Sequence, residues 1–233
     1  MAESIRERVQ DVLDRIARAA ARSGRPAESV RLVAVSKTQP AERIAEAYAA
    51  GLRIFGENYV QEAEGKIPGF PDAEWHLIGK LQGNKVKTAV SLFGWIHTID
   101  SQKLLADVSR RCMEKGMSLP VLVEVNLGGE GSKAGVSPGE LPHIVESAAG
   151  LPGVRVCGLM AIPPEVEDPE RSRPLFAGLR ELMERHASIG GAAVKMTELS
   201  MGMSNDFEVA IEEGATMVRV GTAIFGSRSR RER

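Results

Sequence analysis

A lysine at the end of a short apolar run is the residue of this sequence best placed for covalent chemistry. In the segment Val33-Ala34-Val35-Ser36-Lys37, a period of two places Val33, Val35 and Lys37 on one face of a predicted strand. If the two valines point into a core, Lys37 does too, and partial desolvation favours an uncharged amine that can attack an aldehyde to form an imine. The alternative is that Lys37 only begins a solvated loop.

Two later segments carry groups that bind anions. Ser204 precedes a predicted helix and would cap it, so that a hydroxyl and backbone N–H groups meet at the positive end of a dipole, although capping alone also explains this serine. Gly221 and Thr222 follow the last apolar run, where a glycine lets a phosphate approach the backbone and Thr222 adds a hydroxyl. Arg219 points either into the same site or to an acid outside it. Together with Lys37, these groups describe a pocket for a phosphorylated aldehyde, and pyridoxal 5'-phosphate (PLP) fits that description.

The elements that position these residues follow a regular alternation of strands and helices. A leading helix is predicted from Ile5 onward, with Ser4 and Glu7 as a capping box. Eight βα units predict a single-domain (β/α)8 TIM barrel over residues 1–233; the alternative is an open doubly wound sheet. In a barrel, the carboxyl ends of the strands carry the site. The predicted strands are 32–37, 53–57, 75–79, 95–100, 121–127, 154–162, 196–201 and 217–225, and the helices between them are 40–50, 59–66, 82–93, 101–115, 138–149, 169–187 and 205–213.

Composition excludes several classes of function. The 233 residues carry 30 Lys and Arg against 31 Asp and Glu, and a net charge of -1 gives no general attraction to nucleic acid or to an anionic membrane. Cys112 and Cys157 are too few for a disulfide framework and do not have zinc-ligand spacing. The sequence has neither a signal-peptide pattern nor an apolar run long enough to span a membrane. A cytoplasmic protein is therefore predicted.

Long motifs in order along the chain resemble the YggS/PROSC family of pyridoxal phosphate homeostasis proteins, relatives of the N-terminal barrel of alanine racemase. The motifs are the Lys37 segment, Phe55-Gly56-Glu57-Asn58-Tyr59, the stretch 75–85, Gly158-Leu159-Met160, and the stretches 199–206 and 218–226. The resemblance implies an alanine racemase N-terminal domain-like barrel that binds PLP. It also implies roles for single residues: Lys37 forms the Schiff base, Ser204, Gly221 and Thr222 contact the phosphate, Arg219 faces the pyridine nitrogen, and Asn58 lines the pocket.

The predicted function is a PLP-binding protein that holds the cofactor on Lys37, acts in intracellular PLP (vitamin B6) homeostasis, and has no strong catalytic activity. It would pass PLP to PLP-dependent apoenzymes as a monomer or weak dimer. Arg219 is a permanent donor that should keep the ring nitrogen unprotonated and so make carbanion chemistry poor.

The first alternative is an amino-acid racemase, which needs a second acid–base group opposite the lysine. In alanine racemases a tyrosine from an extra C-terminal domain supplies that group, and the tyrosines available here are Tyr48 and Tyr59. The second alternative is a class I aldolase. Three roles stay open: Ser200 could replace or supplement Ser204, Lys133 could contact the cofactor in transit, and His76 is expected to be a structural histidine.

Overall fold

The computed structural model describes residues 3–128, 134–164, 166–189 and 193–226, and in them eight parallel strands close into one barrel in chain order. The predicted barrel is confirmed, and the open doubly wound sheet is wrong because the first strand pairs with the eighth. The organisation of residues 1–233 as one domain stays a prediction. The strands are β1 (Arg31–Val35), β2 (Ile54–Glu57), β3 (Glu74–Leu77), β4 (Trp95–Ile99), β5 (Leu119–Glu124), β6 (Val154–Met160), β7 (Val194–Ser200) and β8 (Met217–Val220).

Helices connect the strands on the outside of the barrel. Two of the predicted helices open with a 3-10 turn, at Gly83–Lys85 and Pro169–Ser172, before their α-helical part begins. The α-helices are α1 (Ile5–Arg22), α2 (Ala41–Ala49), α3 (Val60–Lys66), α4 (Val86–Leu92), α5 (Gln102–Met113), α6 (Leu141–Ser147), α7 (Arg173–His186), α8 (Phe207–Glu212) and α9 (Thr222–Phe225). Among the described residues no helix is both long and apolar enough to cross a membrane.

The leading helix α1 lies on the outer wall of the barrel. Ser4 accepts a hydrogen bond from the Glu7 backbone N–H, and the Glu7 carboxylate accepts one from the Ser4 N–H, so the predicted capping box forms. The buried face of α1 contains Ile5, Val9 and Val12 and packs against α2, α8 and α9. Burial of this apolar stripe therefore fixes the helix beside the strands that join at β1 and β8.

The eighth strand is shorter than the apolar pattern predicts. It ends at Val220, and the residues after Gly221 turn into the short helix α9, in which the Ile224 and Phe225 N–H groups donate to the Gly221 carbonyl at 3.0 and 2.9 Å. The predicted strand 217–225 is therefore wrong at its carboxyl end. The apolar run continues because Ile224 and Phe225 are buried as helix residues rather than as strand residues.

The barrel interior contains a separate apolar cluster of Val33, Leu122, Met160 and Met217. Because side chains alternate along a strand, Val35 and Arg219 face the interior with Val33 and Met217, while Ser36 and Val220 face the helices. The sequence period of two therefore orients the residues around Lys37 as predicted.

Candidate functional site

Lys37 lies in the turn directly after β1, at the carboxyl end of the barrel. It is half-buried and lines one pocket with Val35 at the end of β1, Thr38 of its own turn, and Gly221 and Thr222 of the last βα unit. Three of the predicted site residues therefore meet in a single pocket, which favours the predicted site over a solvated loop.

Strand pairing explains why these distant residues meet. β1 and β8 are neighbours, and Val33 is in register with Arg219 and Ala34 with Val220. Gly221 therefore lies beside Val35, and a Cβ at Gly221 would be 3.3 Å from the Val35 Cβ. A side chain at Gly221 would crowd Val35 on the wall of the pocket, and glycine avoids that contact.

The groups predicted to bind phosphate are arranged differently from the sequence prediction. Ser204 does not cap α8; Asp206 takes that position, and its carboxylate accepts the Met203 N–H at 2.7 Å. The Ser204 Oγ instead accepts the N–H groups of Gly221 at 3.2 Å and Ala223 at 3.3 Å. Capping by Ser204 is therefore wrong, but two backbone donors and a hydroxyl converge beside the Lys37 pocket, a set suited to an anion.

Arg219 lies inside the barrel and is only 4% exposed. Its Nη1 donates to the Ser200 Oγ at 2.6 Å and its Nη2 to the Ala161 carbonyl at 2.9 Å. Burial lowers the pKa of Arg219 to about 10, against the opposing charges of Glu124 and Asp206, so the guanidinium is still charged at neutral pH. It is thus an oriented permanent donor rather than a partner of an acid outside the barrel.

Ser200 does not join the phosphate-binding groups. Its hydroxyl lies between the Arg219 Nη1 and the His97 Nδ1, at 2.6 and 2.9 Å. The expectation that Ser200 could supplement Ser204 is therefore wrong. The reason is the strand face: Ser200 ends β7 and points inward, whereas Ser204 lies four residues later in the loop.

Asn58 follows β2 at the same end of the barrel and is half-buried, but it is not one of the residues that line the Lys37 pocket. Its backbone packs directly against Gly79, where a Cβ would be 2.3 Å from the Asn58 carbonyl oxygen. The role of Asn58 stays a prediction. Lys133 lies outside the described residues.

The turn that carries Lys37 has an unusual backbone. Thr38 has φ 62°, in the left-handed region that β-branched residues rarely adopt. Such a conformation costs about 1–3 kcal/mol. The Thr38 N–H donates to the Glu62 Oε1 at 2.5 Å. The same Glu62 oxygen accepts a hydrogen bond from the Lys66 Nζ at 2.6 Å. The buried Lys66 on α3 therefore orients the carboxylate that binds the Thr38 N–H in the turn.

Lys66 also reaches both strands beneath the turn. Its Nζ donates to the Ser36 carbonyl and to the Glu57 Oε1, each at 2.7 Å, and the Ser36 hydroxyl donates to the same Glu57 oxygen. Burial raises the pKa of Glu57, and the bonds from Lys66 and Ser36 oppose that rise. Sequence reasoning missed this cluster, although Val60, Ala63 and Lys66 share the buried face of α3.

The residues present fit PLP. An amine for an aldehyde, two converging backbone donors for a phosphate and a buried guanidinium for a ring nitrogen all lie at one end of the barrel. No group of His, Cys, Asp and Glu in the described part of the chain is arranged to hold a metal ion.

Comparison with known proteins gives a consistent result. The family model described as "Alanine racemase, N-terminal domain" matches residues 9–229. A pyridoxal phosphate homeostasis protein of Aquifex aeolicus is 46% identical over 224 residues, which cover 95% of this chain and 97% of that protein. The structure of PipY from Synechococcus elongatus with PLP bound has a TM-score of 0.80 and 43% identity, over 91% of this chain and 100% of that one. An alanine racemase of Clostridium difficile, at 13% identity and TM-score 0.70, shares the fold, and this chain covers 56% of its length.

Proposed function

The chain belongs to the alanine racemase N-terminal domain family and, within it, to the pyridoxal phosphate homeostasis proteins, and from this premise we propose that it binds PLP through a Schiff base on Lys37 and serves in PLP homeostasis. The observation that carries the proposal is the pocket that Lys37 shares with Gly221 and Thr222. It is supported by the PLP found in a relative of 43% identity.

Each assigned residue has a distinct task. PLP would supply an aldehyde when bound, and the Lys37 amine would hold it. The N–H groups of Gly221 and Ala223, with the hydroxyls of Ser204 and Thr222, bind the phosphate. Asn58, which follows β2 at the same end of the barrel, is assigned to the cofactor site by the family resemblance alone.

Arg219 determines what the bound cofactor can do. It offers only N–H donors, so a ring nitrogen that faces it must accept and stays unprotonated. An unprotonated ring is a poor electron sink, and the site therefore favours holding the cofactor over catalysing carbanion chemistry.

For the racemase alternative, neither tyrosine of the chain is among the residues that line the Lys37 pocket. Tyr48 lies on α2, where its ring is covered by the Arg53 guanidinium at 3.9 Å, and Arg53 directly precedes β2 at the end of the barrel opposite Lys37. Tyr59 follows Asn58 and is 60% exposed. The racemase and aldolase neighbours, at 13–19% identity, show the fold alone, whereas the relatives at 42–46% identity are named homeostasis proteins.

The absorption spectrum of the purified protein tests the proposal. The protein incubated with PLP should show the visible band of a lysine-bound cofactor, and Lys37→Ala should abolish it, while Lys87→Ala, which removes an exposed lysine of α4, should not. Borohydride reduction followed by mass spectrometry should locate the added mass on Lys37. A wild-type protein that stays colourless with excess PLP refutes the proposal, and an adduct without a chromophore indicates an aldolase.

The partners and location remain part of the proposal. PLP-dependent apoenzymes as recipients, a monomer or weak dimer, and a cytoplasmic location are all compatible with the site described.

A further inference from the structure

A column of hydrogen-bonded polar side chains runs through the barrel interior and ends at Arg219. It begins at Glu74, the first residue of β3, whose Oε1 lies 2.5 Å from the His76 Nε2. The His76 Nδ1 lies 2.9 Å from the His97 Nε2, and the His97 Nδ1 lies 2.9 Å from the Ser200 Oγ. Ser200 accepts from Arg219 at 2.6 Å. The column therefore joins the amino end of the barrel to the proposed ring-nitrogen site at the carboxyl end.

The protons of this column point in one direction when both imidazoles are neutral. Glu74 can only accept while ionised, so neutral His76 carries its hydrogen on Nε2 and accepts at Nδ1. Neutral His97 then donates from Nε2 to the His76 Nδ1 and accepts at its own Nδ1. The Ser200 hydroxyl donates to that nitrogen, and its oxygen accepts from Arg219, which can only donate.

Burial supports the neutral form of both imidazoles. His76 and His97 are 0% exposed, and desolvation lowers the pKa of each below its ordinary value. Glu74 is different: its side chain is 46% exposed, and the bond from His76 lowers its pKa. The column thus has a neutral middle, a cation at one end and an anion at the other.

The other charged groups near the column lie at its two ends. At the amino end of the strands, Arg31 pairs with Glu198 at 2.8 Å and adds a positive charge that disfavours a second proton on either imidazole. At the carboxyl end, Glu124 and Asp206 interact with Arg219. Arg31 at one end and Arg219 at the other disfavour a second proton on His97, which favours the neutral, one-way arrangement.

We propose that Ser200, His97, His76 and Glu74 are positioning residues, which orient the Arg219 guanidinium toward the cofactor's ring nitrogen and fix the direction of its hydrogen bonding from the far end of the barrel. The inference rests on the proposed function. Two of the five Arg219 N–H groups are committed to Ser200 and Ala161, which leaves others for a ligand in a fixed plane. A donor placed at the Glu74 end would reverse each link in turn and present Ser200 with two donors.

Nitrogen NMR tests the direction of the column without any cofactor. In PLP-free protein labelled with 15N-histidine, His76 and His97 should both be neutral Nε2–H tautomers at pH 7, assigned through single His→Gln variants. The exposed His143 provides a solvent-accessible reference. An Nδ1–H tautomer or a charged ring at His97 overturns the inference.

A substitution four links from Arg219 tests the coupling. Glu74→Lys places a donor at the half-exposed end and should switch both imidazoles to Nδ1–H, whereas Glu74→Gln keeps an acceptor and should leave them unchanged. In PLP-loaded protein, Glu74→Lys should shift the cofactor's absorption band and weaken PLP binding about tenfold. Glu74→Gln should leave both the band and the affinity at their wild-type values. If Glu74→Lys leaves both the His97 tautomer and the absorption band of bound PLP unchanged, the proposed role of the column is overturned.

Ser200→Ala covers the case in which Glu74→Lys does not fold. It removes the link between His97 and Arg219 and should likewise shift the band of bound PLP, while Thr197→Ala, at an exposed position of β7, should not. If Ser200→Ala leaves the absorption band of bound PLP in place, the proposed role of the column is overturned, while the proposed function stands. A wild-type protein that binds no PLP overturns the proposed function and this inference with it.

Discussion

Replacing Lys66 by methionine should destabilise the protein by about 3–5 kcal/mol, because it leaves a buried carboxylate without its cationic partner. The Lys66 side chain is 10% exposed and that of Glu57 is 0% exposed. The Glu57 Oε2 already has no hydrogen-bond partner among the described residues. Without Lys66, the Ser36 hydroxyl is the remaining donor to the Glu57 carboxylate among the described residues. For a chain of this size the loss corresponds to a fall of about 6–20 °C in Tm.

The pH dependence of that loss has a definite sign. Burial already raises the pKa of Glu57, and removal of Lys66 removes the bond that most opposes this rise. In the variant, Glu57 therefore takes up a proton in the folded state at a higher pH than in the unfolded chain. Stability from this protonation is present at low pH and is lost as pH rises through the folded pKa, so the deficit relative to wild type should be larger at pH 8 than at pH 5.

Urea unfolding of three variants measures these effects. Lys66→Met with Glu57→Leu removes both charges, and because Ser36 can still donate to the Gly56 carbonyl at 3.4 Å, most of the stability should return. Lys103→Met removes an 86% exposed lysine paired with Asp107 and should change stability by less than about 1 kcal/mol. If Lys66→Met is no worse than Lys103→Met, or the double variant is as unstable as the single one, the reasoning is refuted.

Two further predictions concern the loop after β2 and the buried histidines. Gly79→Ala should destabilise the protein by about 1–3 kcal/mol and weaken PLP binding, since its Cβ would be 2.3 Å from the Asn58 carbonyl, whereas Gly83→Ala, with no atom within 4 Å, should be neutral in the same melting and titration assays. His76 and His97 stay neutral when folded, so protons bind the unfolded chain first and stability should fall as pH drops below about 6.5, by up to about 1.4 kcal/mol per pH unit for each histidine. The variant with both histidines changed to Gln should lose this pH dependence, measured as the difference between the urea midpoints at pH 7.0 and pH 5.5. A difference equal to that of the wild type would contradict the prediction.

The barrel and the orientation of its strands are predictable from sequence because they depend on periodicity. The alternation of apolar runs and helical patterns gives the eight strands, and the period of two orients Lys37. The end of β8 is not predictable in this way, since Ile224 and Phe225 are apolar in either structure and Gly221 makes the turn that separates them from the strand. An apolar run thus reports burial without reporting the element that is buried.

The role of Ser204 could not be predicted because its partners are distant in sequence. The segment Ser204-Asn205-Asp206 contains three residues that can cap a helix, and local preference does not choose among them. Asp206 occupies the N-cap position of α8 without a side-chain capping bond, and Ser204 accepts the N–H groups of Gly221 and Ala223 instead. Contacts with a distant part of the chain, rather than local preference, therefore place the Ser204 hydroxyl.

Two networks of buried polar residues lie on opposite faces of the barrel wall. The one that points inward, including His97 and Ser200, leads to Arg219; the one that points outward, Ser36 and Glu57 with Lys66, supports the Lys37 turn. Each strand residue of these networks stands where the period predicts an apolar one, and hydrogen bonds within each network offset the cost of burial at every position except the Glu57 Oε2. Because a strand separates the two faces, the amine and the guanidinium that the proposed function assigns to the cofactor are held by independent sets of contacts. A change in one network can then alter one end of the ligand site without displacing the other.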